Sequence, residues 1–299
     1  MRALDIPTIC EHIKLAYASE RIPDDLKLQN QDWQILCNSA SHPESNKYGF
    51  KAIALINHKS KELSIAIAGT NITNIYDLKD DISLACGFLT DKIKPMTEFF
   101  KITATKLPNI EEYSIQTSGH SLGAIHADLL YTYLELYKDV HKYKLSQSIT
   151  LDNPGSKNIL IKALKIGALE IKIDEAEKFI KEKLSDHFHT YNAEPNFINK
   201  AFEQCANHQH IPEAEDKAES IKCSQNHDHN ILCQFEAVIV NMTQIIWKKL
   251  TYIPNTLETH KLEHIESAFK KEYAADEFAY TESENLYNKH YNYELKTLG

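Results

Sequence analysis

Several things are in short supply in this chain. Basic charge is one: 33 Lys and Arg stand against 42 Asp and Glu, a formal net charge of -9. A nucleic-acid binder normally carries a basic stripe, so that class is argued against. Simple electrostatic attraction to anionic lipid is argued against too, although local basic patches stay open. Long hydrophobic runs are missing, and none reaches the roughly 18 apolar residues of a membrane span. The start, MRALDIPTICEHIKLAY, has one basic residue before its apolar positions, and Asp5 and Glu11 interrupt them, unlike a secretory signal. Clustered cysteine is missing too: Cys10, Cys37, Cys86, Cys205, Cys223 and Cys233 are scattered, three of them in hydrophobic surroundings. That points to reduced thiols and a chain made in a cytoplasm, with export by a signal-less route left open. No internal repeat or low-complexity linker divides the chain. Glycine is scarce as well, 8 in 299 residues, so each one invites a reason.

What is present suits a globular protein, with 42% hydrophobic and 25% charged residues. Residues 5–19 read as a helix, with Asp5 able to cap, Pro7 in the first turn, and Ile6, Ile9, Ile13 and Tyr17 on one face. GFKAIALIN (49–57) and ELSIAIAG (62–69) read as strands joined by a polar turn. YSIQTSG (113–119), SQSITLDNPG (146–155) and HFHTYNAE (187–194) give three more. Helical periodicity runs through 77–87, 92–106, the stretch after Ser121, and 157–184. Strands alternating with helices imply an α/β fold with a mostly parallel sheet covered on both faces. Residues 200–231 are polar, His-rich and irregular. An apolar stripe follows in 232–250, a last helix is expected over 260–273, and 274–299 is acidic and Tyr-rich. This reads as one domain, 1–299, with an insertion at about 200–255 and a tail.

Two of the eight glycines bracket one serine, in Ser118-Gly119-His120-Ser121-Leu122-Gly123-Ala124. The run lies between a strand and a helix. A nucleophile placed on so sharp a turn needs small residues two before and two after it, because side chains there would collide with neighbouring backbone. The turn raises the hydroxyl above the sheet and sets the following N–H groups at a helix N-terminus, where a developing oxyanion would be stabilised.

GHSLGA resembles the elbow of α/β-hydrolase lipases, especially the class 3, fungal-type lipases. IAIAGTNITNIYDLKDDISLACG resembles that family's oxyanion strand, which ends in Arg-Gly-Thr. Ala68 stands at the Arg position here, and Gly69-Thr70 remains. The resemblance covers roughly residues 1–200 and a later His. It implies an α/β-hydrolase fold and a serine ester hydrolase acting on lipid esters, a lipase or phospholipase A. The N–H groups of Thr70 and Leu122 would form the oxyanion hole, and neither metal nor organic cofactor is implied.

A serine hydroxyl needs an imidazole to take its proton and a carboxylate to orient that imidazole. In this fold the order is Ser, acid, His. His187, His189, His208, His210, His227, His229, His260, His264 and His290 are late enough to qualify. His187 and His189 fall inside an expected strand, and His208, His210, His227 and His229 in the irregular insert. His260 follows a loop and opens HKLEHIESAF, which is similar to the segment around the catalytic His of bacterial lipase-like proteins; His264, one turn on, is the alternative. Asp152, at the end of the strand after the elbow helix, is the expected acid, in a setting similar to pancreatic-type lipases. Its plain alternative is a turn-capping carboxylate before Pro154-Gly155. Glu194, at the end of the next strand, is the other candidate. The Cys and His of 205–233 match no zinc spacing and read as a solvated loop. The stripe in 232–250 reads as a core helix, with a lid or peripheral membrane contact as the alternative. A soluble esterase, thioesterase or acyltransferase would carry the same triad. A catalytically dead fold used as a binding module and an effector delivered to another cell also stay open.

Overall fold

The computed structural model describes residues 6–22, 26, 28, 30–43, 48–69, 91–192, 203–205 and 208–210. The main elements run α1 (Ile6–Tyr17), β1 (Trp33–Asn38), β2 (Ala52–Asn57), β3 (Glu62–Ile67), α2 (Ile93–Lys106), β4 (Ser114–His120), α3 (Leu122–His141), β5 (Lys144–Leu151), α4 (Lys157–Ile166), α5 (Ala176–Phe179), β6 (Phe188–Asn192) and β7 (His208–His210). The seven strands form one sheet in the order β1 to β7. β1–β2 and β2–β3 are antiparallel, while every pair from β3–β4 to β6–β7 is parallel.

The alternation of side chains along β2 and β3 assigns the two faces. Ala52, Ala54, Ile56, Leu63, Ile65 and Ile67 join one apolar cluster with Phe99 and Phe100 of α2, Leu129 and Leu130 of α3 and Leu160 of α4. Ile53, Leu55, Ala66 and Ala68 join a second cluster with Ile9, Ile13 and Ala16 of α1. Both faces are therefore covered, which is why AIALIN is buried at every position. The apolar stripe expected of α1 is the buried one, but His12 is buried with it. Its Nδ1 is 2.9 Å from the Ser64 hydroxyl and its ring meets Trp33 edge-on at 4.8 Å. Burial holds its imidazole down at about 3.

Four expectations are corrected. Five strands were read from the sequence, and the sheet also holds β1 and β7. β1 escapes a periodicity reading because only Trp33 and Cys37 of WQILCN are buried. β7 is three residues long and lies where an irregular segment was expected. The fourth expected strand, 146–155, ends at Leu151, because the chain turns at Asp152. The single helix expected over 157–184 breaks at Gly167, which is left-handed, and resumes in α5 and one turn of π-helix over Ile180–Leu184. Among the described residues no helix is long and apolar enough to cross a membrane. The helix expected at 77–87, the stripe in 232–250, the helix over 260–273 and the tail lie outside the described residues.

The elbow glycines are set by backbone contacts. A Cβ on Gly119 would lie 2.2 Å from the Gly123 carbonyl oxygen, and one on Gly123 would lie 2.5 Å from the Ile67 carbonyl oxygen and from the Ala68 carbonyl carbon. Neither contact can be relieved by turning a side chain. A Cβ on Gly167 would make only ordinary van der Waals contact, its nearest neighbour being the Lys172 Cβ at 3.6 Å. Gly123→Ala should therefore lose about 3 kcal/mol or more in urea unfolding, against roughly 1–2 kcal/mol for Gly167→Ala, which carries only left-handed strain. Equal losses would contradict the backbone clash expected at Gly123 and would mean that α3 can shift off β3 at little cost.

Candidate active site

Ser121 sits between β4 and α3 with φ 56 and ψ -129, a backbone conformation that a non-glycine residue adopts only when its surroundings enforce it. Three contacts do so. The Ser121 N–H donates to the Leu151 carbonyl at 3.0 Å, extending the β4–β5 ladder past its last residue. The Ser121 carbonyl accepts from the Ala124 N–H at 2.9 Å, closing the first helical turn. The two glycines let α3 lie directly on the end of β3. The N–H groups of Leu122 and Gly123 begin α3, where no acceptor within the helix is available to them. Ser121 is 8% exposed.

The end of β3 also reaches the serine. A Cβ on Gly69 would come within 2.5 Å of the His120 carbonyl oxygen, 2.6 Å of the Tyr17 hydroxyl and 3.1 Å of the Ser121 Cβ. The chain thus leaves β3 directly against the elbow. Ala68, in the position where the resemblance has Arg, is buried in the cluster under α1. Tyr17, the last residue of α1, hydrogen-bonds His120 Nδ1 through its hydroxyl at 2.9 Å. Tyr17 was read from the sequence only as an apolar-face residue. Its role beside the elbow carries no local sequence signal, because 103 residues separate the pair.

Asp152 follows β5 and is fully buried. Its φ is 46, and its N–H donates to the Tyr191 carbonyl at 2.9 Å. Since His120 pairs with Leu151, Ser121 and Asp152 leave neighbouring parallel strands at the same level. Both lie at the carboxyl ends of the strands, where α/β sheets bind ligands. The structure therefore brings Ser121, Leu122, Gly69 and Asp152 to one edge. Thr70, Glu194, His260 and His264 lie outside the described residues, as do His227, His229 and His290. Of the other late histidines, His187 stacks on Tyr131 with centroids 5.8 Å apart and its Nδ1 is 3.1 Å from the Ser146 carbonyl, a structural setting. His189 is half-buried in β6.

A second buried carboxylate lies behind this edge. Asp128 of α3 accepts from the Ser148 hydroxyl at 2.8 Å, the Ser156 hydroxyl at 2.6 Å and Asn153 Nδ2 at 3.0 Å. Asn153 Nδ2 also donates to Thr150 Oγ1, and Asn153 Oδ1 accepts from the Gly155 N–H. Gln204 Nε2 donates to the Asn153 carbonyl at 2.7 Å. Every residue from Asp152 to Ser156 is buried. This network had no signature in the sequence, where Asp128 reads as an ordinary helix charge.

A glycine-flanked serine in a strained turn, carried at the end of a central parallel strand and covered by helices on both faces, defines the α/β-hydrolase fold. No family model matches the chain. An uncharacterized protein of Rickettsia prowazekii (strain Madrid E) is 28% identical over 289 residues, spanning 94% of this chain and 74% of that protein. Among solved structures, the Lip2 lipase of Yarrowia lipolytica is similar at 15% identity and a TM-score of 0.39, over 70% of this chain and 80% of the lipase. Lipase II from Rhizopus niveus is similar at 14% identity and a TM-score of 0.42, over 64% and 72%. At these scores the likeness transfers no residue roles.

The Asp128 cluster makes stability depend on pH. Burial pushes its carboxyl up to about 6, while the bonds from Ser156, Ser148 and Asn153 pull it back. The folded chain then holds a proton that an unfolded aspartate has released above about 4. This contribution is greatest below that pH and is lost as pH rises through about 6, on the order of 3 kcal/mol in all. Buried His12 and His126, held down at about 3 and about 4, act in the opposite direction. Comparing wild type with Asp128→Asn at each pH cancels them. Urea unfolding should show wild type gaining stability relative to the variant from pH 7 to pH 5; a constant difference would contradict the shift.

Proposed function

We propose that the chain is a serine ester hydrolase acting on lipid esters, of the lipase type. Ser121 attacks the ester carbonyl, and His260 takes its proton and then protonates the leaving alcohol. Asp152 holds the imidazole in the right tautomer and stabilises its charged form. The N–H groups of Leu122 and Thr70 receive the oxyanion, and water releases the acyl group from Ser121. Glu194 is the alternative acid and His264 the alternative base.

The observation that carries this reading is the backbone of Ser121. A non-glycine residue at φ 56 and ψ -129 costs of order 1–3 kcal/mol. A loop serine without a task has no reason to keep that strain, and any glycine would relieve it. The end of β3 against the elbow and the strand-end position of Asp152 support the reading. The choice of lipid esters rests on the resemblance of GHSLGA and IAIAGT to class 3 lipases.

Labelling by a fluorophosphonate probe tests the reaction class. Wild type should label, Ser121→Ala should not, and ester turnover should fall in the variant by about 10⁴-fold or more. Equal labelling would leave a binding module in place of an enzyme. Turnover across short-chain esters, triglycerides and phospholipids tests the substrate class. Preference for short water-soluble esters would replace the lipid reading with that of a soluble esterase.

A further inference from the structure

We propose that Asp128 is a positioning residue: its carboxylate ties the helix launched from Ser121 to the loop that carries Asp152, and so sets the geometry between them. The inference rests on the assignment of Ser121 and Asp152 made above. Asp128 lies seven residues into the chain after Ser121, roughly 10 Å along α3. One carboxylate oxygen, Oδ1, takes the Ser148 hydroxyl of β5. The other, Oδ2, takes Asn153 and Ser156, which bracket the Pro154-Gly155 turn.

The residue next to Asp152 is held at its side chain and its carbonyl. The Asn153 amide nitrogen is shared between Asp128 and Thr150, its side-chain oxygen closes a turn with Gly155, and its carbonyl is held by Gln204. Asp152 needs such anchoring, because its φ of 46 persists only where the neighbours over-determine it. Without the carboxylate the Ser148, Ser156 and Asn153 donors would be buried without this acceptor, a cost in stability as well as in geometry. What an apolar residue cannot do is hold three donors from two separate segments at fixed distances.

The test uses the full chain and an ester that the wild type hydrolyses. Asp128→Leu, Asp128→Asn, Ser156→Ala and the reciprocal pair Asp128→Asn with Asn153→Asp are compared. The readouts are melting temperature, fluorophosphonate titration of active sites, and kcat and KM per titrated site. Asp128→Leu is expected to lower kcat about 10–100-fold, with KM within about 2-fold. Ser156→Ala, which removes one donor from the same carboxylate, should lower kcat in the same direction and serves where Asp128→Leu fails to fold. The reciprocal pair restores a donor–acceptor contact between the two positions and should recover kcat to within about 3-fold of wild type. Unchanged kcat per titrated site in Asp128→Leu, or in Ser156→Ala where the former does not fold, would overturn the proposal. So would a folded reciprocal pair no faster than Asp128→Asn alone. Asp152→Asn, measured alongside, separates the two levels. If it is as active as wild type, the acid assignment falls and takes this inference with it. If it is inactive while Asp128→Leu turns over normally, only the positioning role falls.

Discussion

The close contact between the backbone at the start of α3 and the end of β3 is the constraint on which the site depends. Gly123 lies on the peptide of Ala68, and Gly119 lies on the peptide of Gly123. With any side chain at either position the helix would stand off the sheet. Ser121 would then lose its bond to the Leu151 carbonyl, and its positive-φ conformation with it. The same contact brings Gly69 against the Ser121 Cβ, so one packing event sets both the proposed nucleophile and the start of the proposed oxyanion loop.

Strain at the strand ends is offset by what surrounds it. The sheet is buried on both faces by α1 on one side and α2 to α4 on the other, so its frame resists local relaxation. On that frame Ser121 and Asp152, both with positive φ, leave adjacent strands at one level. Polar contacts then complete the edge: Tyr17 with His120 on one side, Asp128 with Asn153 and Ser156 on the other. These contacts join segments far apart in the chain, and a low-dielectric interior makes each one costly to leave unsatisfied.

Much of the frame was legible. The alternating runs of β2 and β3, the stripe on α1 and the turn at Ser121 all follow from spacing between near neighbours, which a one-dimensional reading can see. β1 and β7 were not legible, because an edge strand with two buried residues and a three-residue strand lack a period to detect. The break at Gly167 was missed because apolar residues keep their spacing across it while the backbone reverses hand. His12 gave no warning that it would be buried beside Ser64 and Trp33, since a polar residue on the apolar face becomes compatible with burial only through a partner on another strand.

The sequence by itself determined where the sharp turn falls and which residue stands on it, because steric exclusion of a Cβ is a demand on residue type at fixed spacing. It also put Asp152 near the end of the strand after the elbow helix, although the strand expected over 146–155 stops at Leu151. Only the tertiary structure decided that Ser121 and Asp152 leave neighbouring strands together, that Gly69 touches the elbow, and that Asp128 binds the acid-bearing loop from behind. Those facts depend on strand order and on hydrogen bonds between segments 20 or more residues apart, and no local pattern encodes a partner that only folding brings near.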